Sequence, residues 1–166
     1  MTEEFKEKDI FLYRPMRDNE YNSWEILSVD DYAQDLMASH LYSQTKARSE
    51  AFRTYRVALP QGMNTKNNHF RVYETGGQVA GYIWFSVDND SAFLSDIILL
   101  PEFQGKGIGK SFICELVNEL GALKISELEL RVSPDNHRAM NLYRKLGFRI
   151  TGFDMSLLLD TEAPCG

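Results

Sequence analysis

The spacing of hydrophobic residues changes along the N-terminal third of the chain. Residues 10–16 are predicted to form a first strand, which Pro15 interrupts. Between residues 19 and 58, apolar side chains recur at mixed three- and four-residue intervals, and this spacing predicts two helices rather than strands. Asp30 and Asp31 belong to a residue type that caps helices, so the second helix is predicted to begin beside them.

Three strand signals then follow in quick succession. Residues 69–74 alternate between apolar and polar side chains, and the Gly76-Gly77 pair after them is typical of a hairpin turn. Residues 78–87 are rich in the β-branched and aromatic residues that favour strands. Residues 91–100 become almost entirely apolar at their end, which predicts a strand buried on both faces.

The C-terminal half alternates between helical and strand patterns. Residues 108–120 carry apolar side chains four positions apart, as one face of a helix does. A strand over residues 126–132 and a short helix closed by Gly147 come next. The last two predicted strands are residues 148–153 and 155–159. The predicted order is β, α, α, β, β, β, α, β, α, β, β, which describes a mixed α/β (α+β) fold and not a doubly wound parallel sheet.

Composition limits the classes of protein to which this chain can belong. It has 166 residues, of which 43% are hydrophobic and 25% charged, as expected for one domain with a packed core. Its net charge is −6. An acidic surface argues against a dedicated nucleic-acid binder and gives no attraction to anionic membranes. We therefore expect neither nucleic acid nor membrane among its partners.

The cysteines and the first residues suggest a compartment. Cys114 and Cys165 lie far apart, which excludes a disulfide framework and a cysteine-rich zinc site. Residues 1–8 are polar and lack the apolar run of a signal peptide. The longest wholly apolar stretch, residues 97–101, is far shorter than a membrane span. We expect a cytoplasmic protein with no metal site.

The segment that suggests chemistry is a glycine-rich turn between a buried strand and an amphipathic helix. Gly105, Gly107 and Gly109 remove side chains where a ligand could approach the backbone. The first amides of a helix are unpaired and attract phosphate, and Lys106 and Lys110 add positive charge. A nucleotide is one candidate ligand, but the Gly-Lys-Ser/Thr ending of a nucleotide loop is missing. A connection without any ligand is the other alternative.

Two motifs add a family resemblance. The pattern Gln104-x-x-Gly107-x-Gly109 resembles the acyl-CoA signature of the Gcn5-related N-acetyltransferases, the GNAT superfamily. Residues 136–148, Asn-His-Arg-Ala-Met-Asn-Leu-Tyr-Arg-Lys-Leu-Gly-Phe, are similar to the second signature of that family. One predicted strand separates the two motifs, as the family requires.

The resemblance implies a fold and a division of the chain. The fold is a central mixed, mostly antiparallel sheet of about seven strands with a splayed centre, flanked by about four helices. The whole chain, residues 1–166, is then a single domain. Within it, residues 1–9 form a leader, residues 10–68 form an N-terminal strand and a variable helical substrate region, and residues 69–160 form the acetyl-CoA-binding core.

The resemblance also implies an activity and a binding site. The activity is transfer of an acetyl group from acetyl-CoA to a primary amine, a small amine or a peptide, by direct attack in a ternary complex. A strand that splays from its neighbour pairs with the pantetheine arm, and a backbone amide near Leu99 stabilises the oxyanion. The implied cofactor-binding residues are Ile97, Ile98, Leu99, Gln104, Gly105, Lys106, Gly107, Ile108, Gly109, Lys110, Asn136 and Tyr143.

Two residues are the predicted catalytic pair. Tyr143 matches the family tyrosine that protonates the departing thiolate, although its place beside apolar residues also suits simple packing. Asp96 is the first candidate for the general base, with a structural, hydrogen-bonded aspartate as the alternative. Glu129 is a second candidate base. Asn136 resembles a cofactor-binding asparagine and is also a favourable helix cap.

Some alternatives stay open at the level of the sequence. A CoA-binding sensor that has lost catalysis would need the same binding motifs but neither a base nor Tyr143. The acceptor amine is not identified, because its selection falls to residues 19–68, which carry no decisive motif. The negative charge favours a cationic acceptor. The protein is expected to be a monomer or a homodimer.

Overall fold

The structure is a computed structural model that describes residues 10–159. The predicted leader, residues 1–9, lies outside this range, as do Asp160 and Cys165. The elements in chain order are β1 (Phe11–Pro15), α1 (Asp18–His40), α2 (Gln44–Ala58), β2 (Asn68–Thr75), β3 (Gln78–Asp88), β4 (Ser91–Leu99), α3 (Ile108–Ala122), β5 (Glu127–Leu130) and α4 (His137–Lys145). Two single-turn 3-10 helices, Gly62–Asn64 and Pro101–Phe103, lie in the connections before β2 and after β4.

Five strands form one sheet in sequence order, β1-β2-β3-β4-β5. The pairs β1-β2, β2-β3 and β3-β4 are antiparallel, and the pair β4-β5 is parallel. The glycine turn at Gly76-Gly77 makes the predicted hairpin between β2 and β3, with Thr75 paired to Gln78. The mixed, mostly antiparallel sheet and the four α-helices confirm the predicted fold class.

The sheet has a hydrophobic core on each face. Apolar side chains at alternate positions of β2 and β3 pack on α1 and α2, and the intervening positions pack on α3. The buried core toward α1 and α2 consists of Met16, Trp24, Tyr55, Leu59, Phe70, Val72, Tyr82 and Trp84. The buried core toward α3 consists of Tyr73, Ile83, Phe85, Ala92, Leu94, Phe112, Leu116 and Leu120.

Helix α1 is held against the sheet by a buried arginine. Arg14 of β1 donates to both carboxylate oxygens of Glu20 in α1, at 2.8 Å each, and to Glu74 of β2 at 2.7 Å. All three side chains are mostly shielded from solvent, so these charge-assisted bonds fix the start of α1 on the sheet.

The predicted boundary between the two N-terminal helices is wrong. Helix α1 runs through Asp30 and Asp31 without a break and ends at His40, where Leu41 adopts a left-handed conformation with φ 56°. The cap of α2 is Ser43, whose hydroxyl accepts a hydrogen bond from the Lys46 amide. Helix α1 continues because its buried face continues beyond these aspartates, and this packing outweighs the capping preference of an aspartate.

The last two predicted strands, residues 148–153 and 155–159, are not formed. Residues 148–158 have irregular backbone, and apolar side chains such as Phe153 and Met155 remain exposed. A strand needs a hydrogen-bonded neighbour as well as alternating side chains. The adjacent edge strand β5 is only four residues long, and within residues 10–159 it pairs with β4 alone.

A bulge in β4 sets the orientation of the end of this strand. Trp84 of β3 pairs with Asp96 and Phe85 pairs with Leu94, so Ser95 is an extra residue. Leu94 before the bulge packs toward α3, whereas Asp96 after it faces α1. In a regular strand, residues two positions apart share a face. Because Ser95 is an additional residue, Leu94 and Asp96 lie on opposite faces instead.

The strands β4 and β5 separate just after this bulge. Their pairing covers residues 91–94 of β4 and residues 127–130 of β5. Beyond Leu94, the edge of β4 that faces away from β3 has no strand partner among residues 10–159. The sheet is therefore splayed between β4 and β5, and the backbone of residues 95–99 is open on one side.

We predict that Gly81→Ala destabilises the protein by about 1 to 3 kcal/mol, the usual range for overpacking. A Cβ atom on Gly81 would lie 2.5 Å from the Ile98 carbonyl oxygen and 3.3 Å from the Phe112 ring, so β3 and β4 would have to move apart. Urea denaturation measures the effect. Gly121→Ala in α3 is the control, because its Cβ atom meets no described atom within 4 Å. Equal stability of the two variants would contradict this prediction.

Candidate active site

The glycine-rich turn lies at the open end of β4. Gly105 and Gly107 have φ angles of 74° and 77°, in the left-handed region that favours glycine. Gly107 is the N-cap of α3 and supplies no side-chain hydrogen bond, so the first amides of this helix have no side-chain cap. The Gln104 side chain donates to the Leu99 carbonyl oxygen at 3.0 Å and fastens the turn to β4.

The first turn of α3 brings β4 and α4 together. A Cβ atom on Gly109 would lie 3.4 Å from the Leu99 side chain and 3.8 Å from that of Leu142 in α4. A Cβ atom on Gly105 would lie 3.0 Å from the Arg138 guanidinium. Arg138 therefore stands beside the turn, where it adds a cation that the sequence argument did not single out. Its only signal in the sequence was its position inside the second motif.

The charged and polar groups around the turn suit an anion. Lys106 and Lys110 are exposed beside the free amides of α3, and Arg138 approaches from α4. Helix amides and cations of this kind bind phosphate groups. Ile97 and Ile98 are half-buried on the open strand next to the turn, and Ile108 is half-buried at the start of α3.

Asp96 faces α1 from the open end of β4. Its Oδ2 atom accepts a hydrogen bond from the Trp24 ring nitrogen at 3.1 Å and another from the Ser28 hydroxyl at 2.6 Å. Burial raises the pKa of Asp96 to about 6, although these two hydrogen bonds favour its charged form. Asp96 is therefore mostly ionised at neutral pH and can still accept a proton.

Tyr143 of α4 lies within electrostatic reach of Asp96. Burial and then the charge of Asp96 raise the pKa of Tyr143 to about 12. The Tyr143 ring contacts Phe148, with ring centroids 5.5 Å apart. The two predicted catalytic residues, from β4 and α4, are thus within electrostatic range of each other.

The remaining predicted site residues lie in different environments. Asn136 caps α4 by accepting a hydrogen bond from the Ala139 amide at 3.2 Å, so the structural alternative for this residue is realised. Glu129 is exposed on β5, where a hydrogen bond from its protonated carboxyl to Glu127 and the charge of Glu127 raise the pKa of Glu129. These contacts do not connect Glu129 to Asp96 or Tyr143.

The environment of Asp96 was not foreseen from the sequence. Trp24 and Ser28 lie one helical turn apart on α1, and both are completely buried. The Ser28 hydroxyl is in turn 2.5 Å from the Tyr55 hydroxyl of α2. The four-residue spacing of Trp24 and Ser28 was the available signal, but nothing in it indicated a carboxylate partner on a distant strand.

A cavity of about 200 Å³ lies between α1 and α2, with Tyr55 in its lining. Its lining includes three aromatic side chains, one acidic side chain and one basic side chain. The lining residues are Tyr21, Glu25, Val29, Phe52, Tyr55, Arg56, Leu59 and Gly62.

Residues 10–159 lack the features of a metal site and of a membrane-spanning helix. They contain no group of three or more histidine, cysteine, aspartate or glutamate side chains arranged to hold a metal ion. No helix in this range is both long enough and apolar enough to cross a membrane.

Comparison with known proteins agrees with the family resemblance of the two sequence motifs. A family model described as the acetyltransferase (GNAT) family matches residues 29–148. The uncharacterized N-acetyltransferase YdgE of Bacillus subtilis (strain 168) is 25% identical over 150 residues, which cover 87% of this chain and 96% of YdgE.

Solved structures share the fold. The crystal structure of YycN from Bacillus subtilis aligns with a TM-score of 0.84 at 24% identity, covering 90% of this chain and 99% of YycN. The paia N-acetyltransferase from Thermoplasma acidophilum, solved in complex with coenzyme A, aligns with a TM-score of 0.68 at 19% identity, covering 87% of this chain and 93% of that one.

We predict that Asp96→Asn stabilises the fold at neutral pH. The folded-state pKa of Asp96 is about 6, above the ordinary 3.8, so its contribution to stability is full below about pH 4 and is lost as the pH rises through 6. The asparagine oxygen can accept both hydrogen bonds made to Oδ2 and carries no charge. The variant should match the native protein at pH 4 and exceed its unfolding free energy by about 1 to 3 kcal/mol at pH 7.

Urea denaturation between pH 4 and pH 8 tests this expectation. Asp88→Asn, at the exposed end of β3, controls for the loss of one negative charge. A difference between Asp96→Asn and the native protein that does not change with pH would contradict the prediction.

Proposed function

This chain belongs to the acetyltransferase (GNAT) family and is an N-acetyltransferase, and we propose that it moves the acetyl group of acetyl-CoA to a primary amine by direct attack within a ternary complex. The observation that supports this mechanism most is the electrostatic proximity of Asp96 and Tyr143 near the open end of β4. One residue can take a proton there and the other can give one.

The residues at the open end of β4 fit acetyl-CoA, which supplies an activated thioester when bound. The free amides at the start of α3, with Lys106, Lys110 and Arg138, would hold its diphosphate. The unpaired backbone edge of residues 97–99 would bind the pantetheine arm as an added strand would be bound. Asn136 can contribute its side-chain amide nitrogen, because its oxygen already caps α4.

Asp96 is the proposed general base. A primary amine arrives protonated, since its ordinary pKa lies near 10, and it must lose a proton before it can attack. Asp96 is mostly ionised at neutral pH and lies on the strand whose edge would hold the thioester. It also has a pKa nearer to neutrality than an exposed aspartate, which makes it a stronger base.

Tyr143 is the proposed general acid for the departing thiolate. Its raised pKa keeps the hydroxyl protonated until it is needed. Because the charge of Asp96 is one cause of the raised pKa, a proton accepted by Asp96 lowers the pKa of Tyr143 again. Deprotonation of the amine by Asp96 would therefore make Tyr143 a better proton donor.

The proposed acceptor is a cationic small amine or peptide amine. The net charge of −6 favours a positively charged partner. Within this proposal, residues 10–68 select the acceptor and residues 69–160 hold acetyl-CoA in one domain. We also propose a cytoplasmic location, where the two distant cysteines would stay reduced, and a monomer or homodimer.

The experiment that tests this function measures thiol release from acetyl-CoA with a panel of amines. The panel contains polyamines, amino acids, aminoglycosides and short peptides. Release with one class establishes transfer and identifies the type of acceptor. No release with any class, from protein shown by calorimetry to bind acetyl-CoA, would contradict the proposal and favour a binding module without catalysis.

We predict that Tyr143→Phe lowers turnover by roughly 10- to 10,000-fold, the range for losing a positioned acid. The affinity for acetyl-CoA should stay unchanged, because the ring is kept. Steady-state kinetics with the active amine and calorimetry with acetyl-CoA measure the two quantities. Tyr42→Phe, in the connection between α1 and α2, is the control. Unchanged turnover in Tyr143→Phe would remove this residue from the mechanism.

A further inference from the structure

We propose that Ser28 of α1 and Tyr55 of α2 are positioning residues, which hold the Asp96 carboxylate in one orientation and leave its Oδ1 atom for the amine. This inference deepens the proposed function and rests on it for the role of Asp96 as base. The orientation of Asp96 itself depends only on contacts within the protein.

Ser28 is a buried hydroxyl that requires an explanation. It is completely buried, and it lies next to the aromatic core formed by residues such as Trp24, Tyr55 and Trp84. A buried hydroxyl is costly unless it is hydrogen-bonded. The Ser28 hydroxyl has two partners, Asp96 at 2.6 Å and Tyr55 at 2.5 Å. It therefore joins two helices to the open strand β4.

The direction of the hydrogen bonds follows from the number of protons. Ionised Asp96 can only accept, so the single proton of the Ser28 hydroxyl is donated to Asp96. Tyr55 must then donate its own proton to Ser28, either to the hydroxyl oxygen or to the backbone carbonyl oxygen 3.2 Å away. The chain of donors thus runs from Tyr55 through Ser28 to Asp96.

These donors select one oxygen of the carboxylate. Ser28 and Trp24 both donate to Oδ2, and neither of these bonds reaches Oδ1. Trp24 is completely buried and Tyr55 is 8% exposed, so the helices that present these donors are firmly packed. A carboxylate held in this way cannot rotate without breaking two hydrogen bonds. Neither Ser28 nor Trp24 donates to Oδ1, and we assign this oxygen to the proton from the amine.

The groups around Asp96 determine the direction in which its pKa should change when a hydrogen-bond donor is removed. Burial raises the pKa of Asp96 most, the hydrogen bonds from Ser28 and Trp24 lower it, the charge of Asp31 on α1 raises it, and the Ile97 amide lowers it. Loss of the Ser28 hydroxyl should therefore raise the pKa of Asp96 further.

The other titratable groups near Asp96 are the hydroxyls of Tyr55 on α2 and Tyr143 on α4. Burial, together with the charge of Asp96, raises the pKa of each above its ordinary value, so both are neutral near pH 7. They therefore add no charge that titrates in the same range as Asp96.

The test compares hydroxyl deletions with matched controls in the full-length protein. Ser28→Ala removes the donor to Asp96, and Tyr55→Phe removes the donor to Ser28. Ser39→Ala is the control on the same helix, because the Ser39 hydroxyl donates only to the Asp35 carbonyl oxygen. Tyr32→Phe is the control for the tyrosine, because the Tyr32 ring packs on Tyr55, with centroids 6.0 Å apart, but its hydroxyl bonds neither Ser28 nor Asp96.

Carbon-13 NMR of labelled aspartate measures the pKa of Asp96 without any acceptor, with Asp96→Asn to assign the signal. Loss of a hydrogen bond to a charged group should raise this pKa by about 1 to 2 in Ser28→Ala and by less in Tyr55→Phe. Both controls should leave it unchanged. Ser28→Cys, with a weaker donor of similar size, should give an intermediate value and serves if Ser28→Ala does not fold.

The pH profile of acetyl transfer gives the second readout. At saturating acetyl-CoA, the acidic limb of kcat should move to higher pH by the same amount as the NMR pKa, and kcat at pH 7 should fall roughly 2- to 10-fold in Ser28→Ala. The KM for acetyl-CoA should not change. An unshifted NMR pKa in Ser28→Ala and Ser28→Cys would overturn the positioning role. A shifted NMR pKa with an unmoved kcat profile would uphold the positioning of Asp96 and overturn its role as the base.

Discussion

The hydrogen bonds that enclose the Asp96 carboxylate are the constraint on which the proposed active site depends. A carboxylate beneath two helices is unfavourable unless donors surround it, and here the donors come from Trp24 and Ser28 on α1, with Tyr55 on α2 behind them. Trp24 and Tyr55 also belong to the hydrophobic core on that face of the sheet. The two N-terminal helices therefore have two functions, because they cover the sheet and they determine the charge state of one residue in it.

The two faces of the sheet have different tasks. The face toward α3 is filled with apolar side chains and supports the first turn of α3, where the glycine-rich turn and its cations lie. The face toward α1 and α2 contains the polar contacts of Asp96. In the proposed mechanism, a bound thioester would lie along the open edge of β4, at the boundary between these faces. Binding and proton transfer would then be separated by the thickness of a single strand.

Local patterns predicted most of the fold, and long-range contacts explain the rest. Strands β2, β3 and β4 and helix α3 follow from alternation, turn glycines and a four-residue apolar period, all of which are properties of neighbouring residues. The predicted strands at residues 148–153 and 155–159 were wrong because pairing depends on a partner elsewhere in the chain. The candidate site shows the same division between local patterns and long-range contacts. The turn at residues 104–110 was visible as a motif, whereas the contacts of Ser28 with Asp96 join residues 68 positions apart.

The extra residue in β4 gives this chain an unusual sensitivity to small changes of length. Substitution of Ser95 alters one side chain, but loss of its codon would remove the bulge. Leu94 and Asp96 would become neighbours on opposite faces of a regular strand, so Asp96 would still face α1 while the bend of the strand was lost. An in-frame deletion of three nucleotides would thus keep the two faces of the strand end and straighten β4 where it separates from β5. Insertions and deletions are usually tolerated in loops; here the number of residues in β4 matters as much as their identity. Variation in length among descendants of this gene should accordingly avoid this part of the strand.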